Sequence, residues 1–138
     1  MEIFLQLVLA AVLGGLVGLE REYKKKEAGL RTYALVCLGA TLFTIISLSY
    51  VFNGDSLRVV QAVALGIGFI GGGLIIHRHF YVEGLTTAAG LWVVAGIGLA
   101  VGIKLYLLAV FVSILAIVIL AGLRPIEEKF IKPRDEEK

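Results

Sequence analysis

Residues 86–123 read TTAAGLWVVAGIGLAVGIKLYLLAVFVSILAIVILAGL, an apolar run whose only charge is Lys104. A helix rises about 1.5 Å per residue, so about 20 apolar residues cross the roughly 30 Å of bilayer hydrocarbon. The run is too long for one crossing, and Lys104 divides it into two of adequate length, Thr86 to Ile103 and Leu105 to Leu123. Toward the amino terminus lie three more stretches of the same kind: Ile3 to Leu19, Tyr33 to Phe52 and Val59 to Ile76. The pattern predicts an all-α integral membrane protein with five short transmembrane helices over residues 1–123, then a charged tail over residues 124–138. Arg124-Pro125 is expected to end the last helix, because proline disfavours helix in the residue before it.

Composition agrees. Hydrophobic residues make up 59% of the chain and charged residues 17%, with a mean hydropathy of +0.93; an ordinary soluble domain is about 45–50% apolar and 25% charged. Glu20-Arg21-Glu22, not a small-residue cleavage site, follows the first apolar run, which is therefore expected to persist as a membrane span. Cys37 is the single cysteine and lies within a span, where it reads as a small buried apolar residue.

Charge placement orients the chain. With five crossings, the 20–32 loop, the 77–87 loop and the tail share one side and hold five, one and five of the thirteen Lys and Arg residues; Arg58 and Lys104 fall on the other. Basic loops stay in the cytoplasm, so the amino terminus is expected outside and the carboxyl terminus inside. Lys24-Lys25-Lys26 then reads as a topology and anionic-lipid determinant, not a nucleic-acid patch.

Two helical hairpins echo each other. Gly14-Gly15-Leu16 precedes a polar loop and Gly29-Leu30-Arg31-Thr32; Gly72-Gly73-Leu74 precedes a polar loop and Gly84-Leu85-Thr86-Thr87. Copies offset by two spans share an orientation, which predicts a parallel repeat of spans 1–2 and 3–4. Gly14 with Gly18, Gly68 with Gly72, and Gly98 with Gly102 have the four-residue spacing that lets membrane helices pack closely. By this reading the glycine-rich third span is the most central. Gly66-x-Gly68-x-x-Gly71 imitates a dinucleotide fingerprint but lacks the preceding strand and the following amphipathic helix.

Polar residues at membrane depth are costly and are retained where they face protein or water. One cluster gathers at the cytoplasmic ends: Glu20, Arg21, Arg31, Thr32, Glu83, Thr86 and Thr87. Thr32 and Thr87 (or Thr86) are positioned as helix N-caps, with the helix dipole favouring an anion or the carboxylate of Glu20, Glu27 or Glu83. Two readings stay open, neutralisation of Glu20 by Arg31 or a ligand site. The second cluster, Asp55, Arg58 and Gln61, lies outside on one face of the third helix, as a cap with an ion pair or as the mouth of a path for a cation or polar solute. His77 and His79, with only Glu83 near in sequence, read as interfacial residues; Tyr81 and Trp92 read as interfacial anchors, with helix packing as the other reading of Trp92, which lies far into its span. No nucleophile–base pair, phosphate-binding loop or His-Glu-x-x-His motif is present, so catalysis is not expected.

Taken together, Gly18-Leu19-Glu20-Arg21-Glu22, Gly29-Leu30-Arg31-Thr32, Asp55-x-x-Arg58-x-x-Gln61, Gly66-Ile67-Gly68-Phe69-Ile70-Gly71-Gly72-Gly73 and Gly84-Leu85-Thr86-Thr87-Ala88-Ala89-x-Leu91-Trp92 resemble the MgtC/SapB family of bacterial inner-membrane proteins. Longer members add a soluble carboxyl-terminal domain that this sequence is expected to lack, and some have Asn where Thr86 stands. The resemblance implies a multi-pass protein of a bacterial or archaeal cell (inner) membrane. It also implies a link to magnesium limitation, as a transporter, a transport accessory or an inhibitor of ATP synthase. Magnesium is coordinated by carboxylate and carbonyl oxygens and keeps several waters, whereas the 20–32 loop holds three acids against five bases. An accessory or regulator acting through helix contacts is therefore expected, with a small transporter or channel for magnesium or another polar solute as the alternative. No resident cofactor is expected, Mg²⁺ entering as ligand or signal, with Glu20 and Asp55 as candidate metal ligands. The expected partners are the lipid bilayer, further copies of the chain and another membrane protein, with no nucleic acid.

Overall fold

The computed structural model describes residues 1–49, 56–79 and 81–130. Five helices account for most of them: α1 (Glu2–Tyr23), α2 (Leu30–Leu48), α3 (Ser56–Gly73), α4 (Leu85–Gly102) and α5 (Tyr106–Phe130). Two-residue strands β1 (Ile76–His77) and β2 (Val82–Glu83) join α3 to α4 as an antiparallel ribbon pairing Ile76 with Glu83 and His77 with Val82. Four segments, Glu2–Tyr23, Leu30–Leu48, Leu85–Gly102 and Tyr106–Leu123, are long and apolar enough to cross a membrane. The apolar part of α3, Leu57–Gly73, is shorter. It stops three residues before the expected boundary at Ile76, because the backbone turns there with Leu74 N donating to Gly71 O and Ile75 N to Gly72 O.

Helices α1, α2 and α4 form the centre, with α5 against α1 and α4, and α3 mainly against α4. Half of α4 is buried, against 17% of the membrane-length part of α5. The third helix is thus not the central one, contrary to expectation. Its glycines explain why: a Cβ added at Gly66, Gly68, Gly72 or Gly73 would meet nothing within 4 Å, and only Gly71 approaches another helix, at Ala88. Gly68 and Gly72 therefore do not act as a packing pair within the chain. Glycine count measures how closely a neighbour could come; it does not supply the neighbour.

The other two pairs lie against α2. A Cβ at Gly14 would stand 2.6 Å from Tyr33 O, and one at Gly18 would stand 2.7 Å from Tyr33 Cβ. From α4, a Cβ at Gly98 would stand 2.8 Å from Ala40 Cβ, and one at Gly102 would overlap Thr44. With no hydrophobic drive between helices in lipid, such backbone approach is a main source of contact energy.

Three further expectations are corrected. Neither threonine caps a helix: the N-caps are Gly29 and Gly84, with no side-chain cap bond at either. Gly84 has φ +82, a left-handed conformation that a side chain would strain. At α2 the carboxylate of Glu22 does the capping, accepting from Leu30 N at 3.1 Å. Finally, α5 runs through Pro125 to Phe130; proline removes one backbone bond, and the good helix formers Glu127, Glu128 and Lys129 continue the turn beyond it.

Candidate functional site

At the end of the bundle where α1 finishes and α2 and α4 begin, polar side chains gather, with Arg21, Tyr33 and Thr87 buried and Glu27 exposed at the edge. Arg21, in the last turn of α1, is only 3% exposed. Its Nη2 donates to Thr87 Oγ1 at 3.0 Å, and Thr87 Oγ1 in turn donates to Glu27 Oε2 at 2.6 Å. Arg21 Nη1 lies 3.5 Å from Glu20 Oε2. Tyr33, fully buried, donates its hydroxyl to the carbonyl of Thr87 at 3.0 Å. One hydroxyl thus joins the end of α1, the α1–α2 loop and the first turn of α4.

The local packing explains the placement of Tyr33. Gly18 on α1 gives room for its Cβ, and Gly90 on α4 gives room for its ring, whose Cζ would stand 3.3 Å from a Cβ there. Only glycine on both sides lets an aromatic ring reach across to the start of α4.

One guanidinium, that of Arg21, serves the two carboxylates of Glu20 and Glu27. The Thr87 hydrogen bond holds the Glu27 carboxyl below its ordinary pKa, helped by backbone donation and, less, by Lys26 and Arg21. Two atoms, Glu20 Oε1 and Arg21 Nε, are buried with no hydrogen-bond partner among the described residues. The arrangement clamps three segments by charge-assisted bonds, which are roughly twice as strong as neutral ones.

The remaining candidates of the first cluster do not join this group. Arg31 is exposed and Glu20 pairs with Arg21 instead, because helical geometry turns Arg31 away from the face that Tyr33 buries. Thr86 is exposed where its neighbour Thr87 is buried, and Thr32 is half-buried against a cleft between α2 and α3. Glu83 sits on the β-ribbon and pairs with Arg78 at 3.4 Å on the surface. Of the second cluster, Asp55 lies outside the described residues; Arg58 borders the cleft and Gln61 is exposed on α3. His77, His79, Tyr81 and Trp92 are all exposed. Among the described residues no three His, Cys, Asp or Glu side chains gather as a metal site would require.

Several contributors are hard to read from the sequence. Gln6 Nε2 donates to Val101 O at 3.0 Å, tying α1 to α4, and Thr41 Oγ1 donates to Gly98 O at 2.8 Å, tying α2 to α4. Nothing in their sequence neighbourhood singles out Tyr33 or Glu22. A usable signal exists for Gln6, a lone amide within an otherwise apolar span. None exists for Gly90, whose role depends on a ring from another helix.

A multi-pass membrane protein, built on a glycine-packed helical core closed at one end by an Arg–Thr–Glu clamp, is the class these features define. The chain belongs to the MgtC family, which it matches over residues 7–129. It is 40% identical over 127 residues to YhiD of Escherichia coli K12, provisionally named a magnesium transporter, covering 86% of this chain and 59% of that protein. It is 42% identical over 119 residues to Protein MgtC of Brucella abortus (85% and 49% covered), and 40% identical over 125 residues to slr0014 of Synechocystis (91% and 53%). The chain therefore spans about half to three fifths of the length of these relatives. No solved structure matches it significantly.

Proposed function

We propose that the chain is an accessory or regulatory membrane protein of magnesium homeostasis, acting through helix contacts with further copies of itself or with another membrane protein. The magnesium link rests on the name carried by YhiD. The accessory role rests on one observation: the α1/α2/α4 core is closed at the polar end by the Arg21–Thr87–Glu27 clamp and filled along its length by backbone-to-backbone glycine contacts. A magnesium ion that keeps its waters needs several oxygen ligands around open space, and along this core the glycine contacts bring the helix backbones too close to leave it. In this reading the clamp faces the cytoplasm, beside Lys24, Lys25 and Lys26, by the charge asymmetry of the loops.

The transport alternative draws on the cleft between α2 and α3, which runs between the two hairpins with Arg58 toward one end and Thr32 toward the other. Its mostly apolar lining argues against a hydrated ion. Purified protein reconstituted into liposomes holding a magnesium-sensitive dye is expected to give background influx only. Robust influx that Asp55→Asn abolishes would replace the accessory reading with the transport one.

A further inference from the structure

Helices α2 and α3 diverge, and between them lies a cleft of about 1030 Å³ floored by α4 at Ala95. Small residues open it from within: Gly39 on α2 and Gly66 on α3 line it, and a Cβ at either would meet nothing within 4 Å. The walls are apolar, with Phe43 and Ile70 among them, and the charged group on the rim is Arg58, near the start of α3. That rim lies at the end of the bundle opposite the Arg21 clamp.

From this geometry we infer that the cleft is a binding site for an anionic glycerophospholipid, with the phosphate on Arg58 and acyl chain along α3. Two observations select that occupant. The first is charge: the Arg58 guanidinium borders a mostly apolar slot, and basic residues at membrane-helix ends attract anionic headgroups. Arg58 already has an interaction within the chain, but a guanidinium carries five N–H donors and serves a phosphate without giving up a partner.

The second is depth. From Val59 to Ile70, both lining the cleft, eleven residues rise about 17 Å, close to the roughly 15 Å of one leaflet's hydrocarbon. An unfilled slot would forfeit dispersion contacts on both walls, and acyl chain restores them.

The site does not rest on the magnesium reading or on the orientation of the chain. It differs from bulk lipid contact by selecting a headgroup, which gives the test. With Trp92→Phe and Phe43→Trp, one tryptophan reports on the cleft; the protein is reconstituted in vesicles of dibrominated phosphatidylglycerol or dibrominated phosphatidylcholine, each diluted with unbrominated phosphatidylcholine.

Quenching is expected to show about a fivefold preference for phosphatidylglycerol, the effect of one basic residue on an anionic lipid. Arg58→Gln should reduce the preference to none. Gly66→Leu, which fills the cleft where there is open space, should do the same with the melting temperature unchanged. Ala62→Phe serves as a second cleft-filling variant if Gly66→Leu does not fold. Equal quenching by the two lipids in the native chain overturns the site, as does a preference that survives cleft filling. Dissociation of an oligomer by Gly66→Leu with the lipid preference intact would assign the cleft to a second copy instead.

Discussion

Thr87→Val tests whether one hydroxyl holds the polar end of the bundle together. The substitution keeps the shape of the side chain and removes two bonds at once, from Arg21 at 3.0 Å and to Glu27 at 2.6 Å. Bonds to charged groups are worth about 1.5–3 kcal/mol in soluble proteins. Side-chain bonds in membrane proteins average nearer 0.6, with an upper value of about 1.7 kcal/mol. Arg21 is 3% exposed, so the upper membrane figure applies to its bond, whereas Glu27 is exposed and its bond takes the average figure, for an expected loss of about 2 kcal/mol. At about 4 °C per kcal/mol for a chain of this size, the melting temperature of the purified protein in mild detergent should fall by roughly 8 °C. Thr87→Ser retains both bonds and loses one methyl, for a fall of about 3 °C. In an Arg21→Met background the same Thr87→Val change should cost about a quarter as much, since only the exposed Glu27 bond remains to be lost. A Thr87→Val protein melting within about 2 °C of the native one would refute the clamp as a stabilising element.

Two predictions separate the glycines and the charges. Gly14→Leu drives a side chain into Cys37 and the backbone of Tyr33 and should destabilise by more than about 3 kcal/mol, beyond the usual overpacking penalty; Gly68→Leu points into open space and should leave melting unchanged. Equal effects, measured by thermal unfolding, would contradict the central placement of α1, α2 and α4. The second concerns pH. Glu27 is held below its ordinary pKa by Thr87, so its contribution to stability is complete above about pH 4.5 and is lost as pH falls through the lowered value. Melting followed from pH 7 to pH 3 should show this acid-side loss in the native chain and a smaller one in Glu27→Gln. A native profile parallel to that of Glu27→Gln would remove Glu27 from the network.

Local composition alone specifies the membrane helices. Apolar runs of membrane length separated by charged loops form helices in lipid wherever they sit in a fold, because no unpaired backbone group is tolerated in hydrocarbon. The number of helices and the pairs Gly14–Gly18 and Gly98–Gly102 are legible that way, since four-residue spacing defines a helix face before any partner is known. Arg21 and Thr87 stand out for the same reason: polar residues at membrane depth are too costly to be incidental.

Which faces meet is settled by packing in three dimensions. Gly68 and Gly98 belong to pairs with the same spacing, yet one faces open space and the other lies against α2. Sequence offers Arg31 as one partner for Glu20; in the fold it meets Arg21, its neighbour along the chain. Thr87 gives up a cap to bridge Arg21 and Glu27, sixty residues from the latter, while glycine and the carboxylate of Glu22 take over the helix starts. Spacing fixes the face a residue occupies; the rotation and neighbours of each helix are set by the packing of all five, which no single segment encodes.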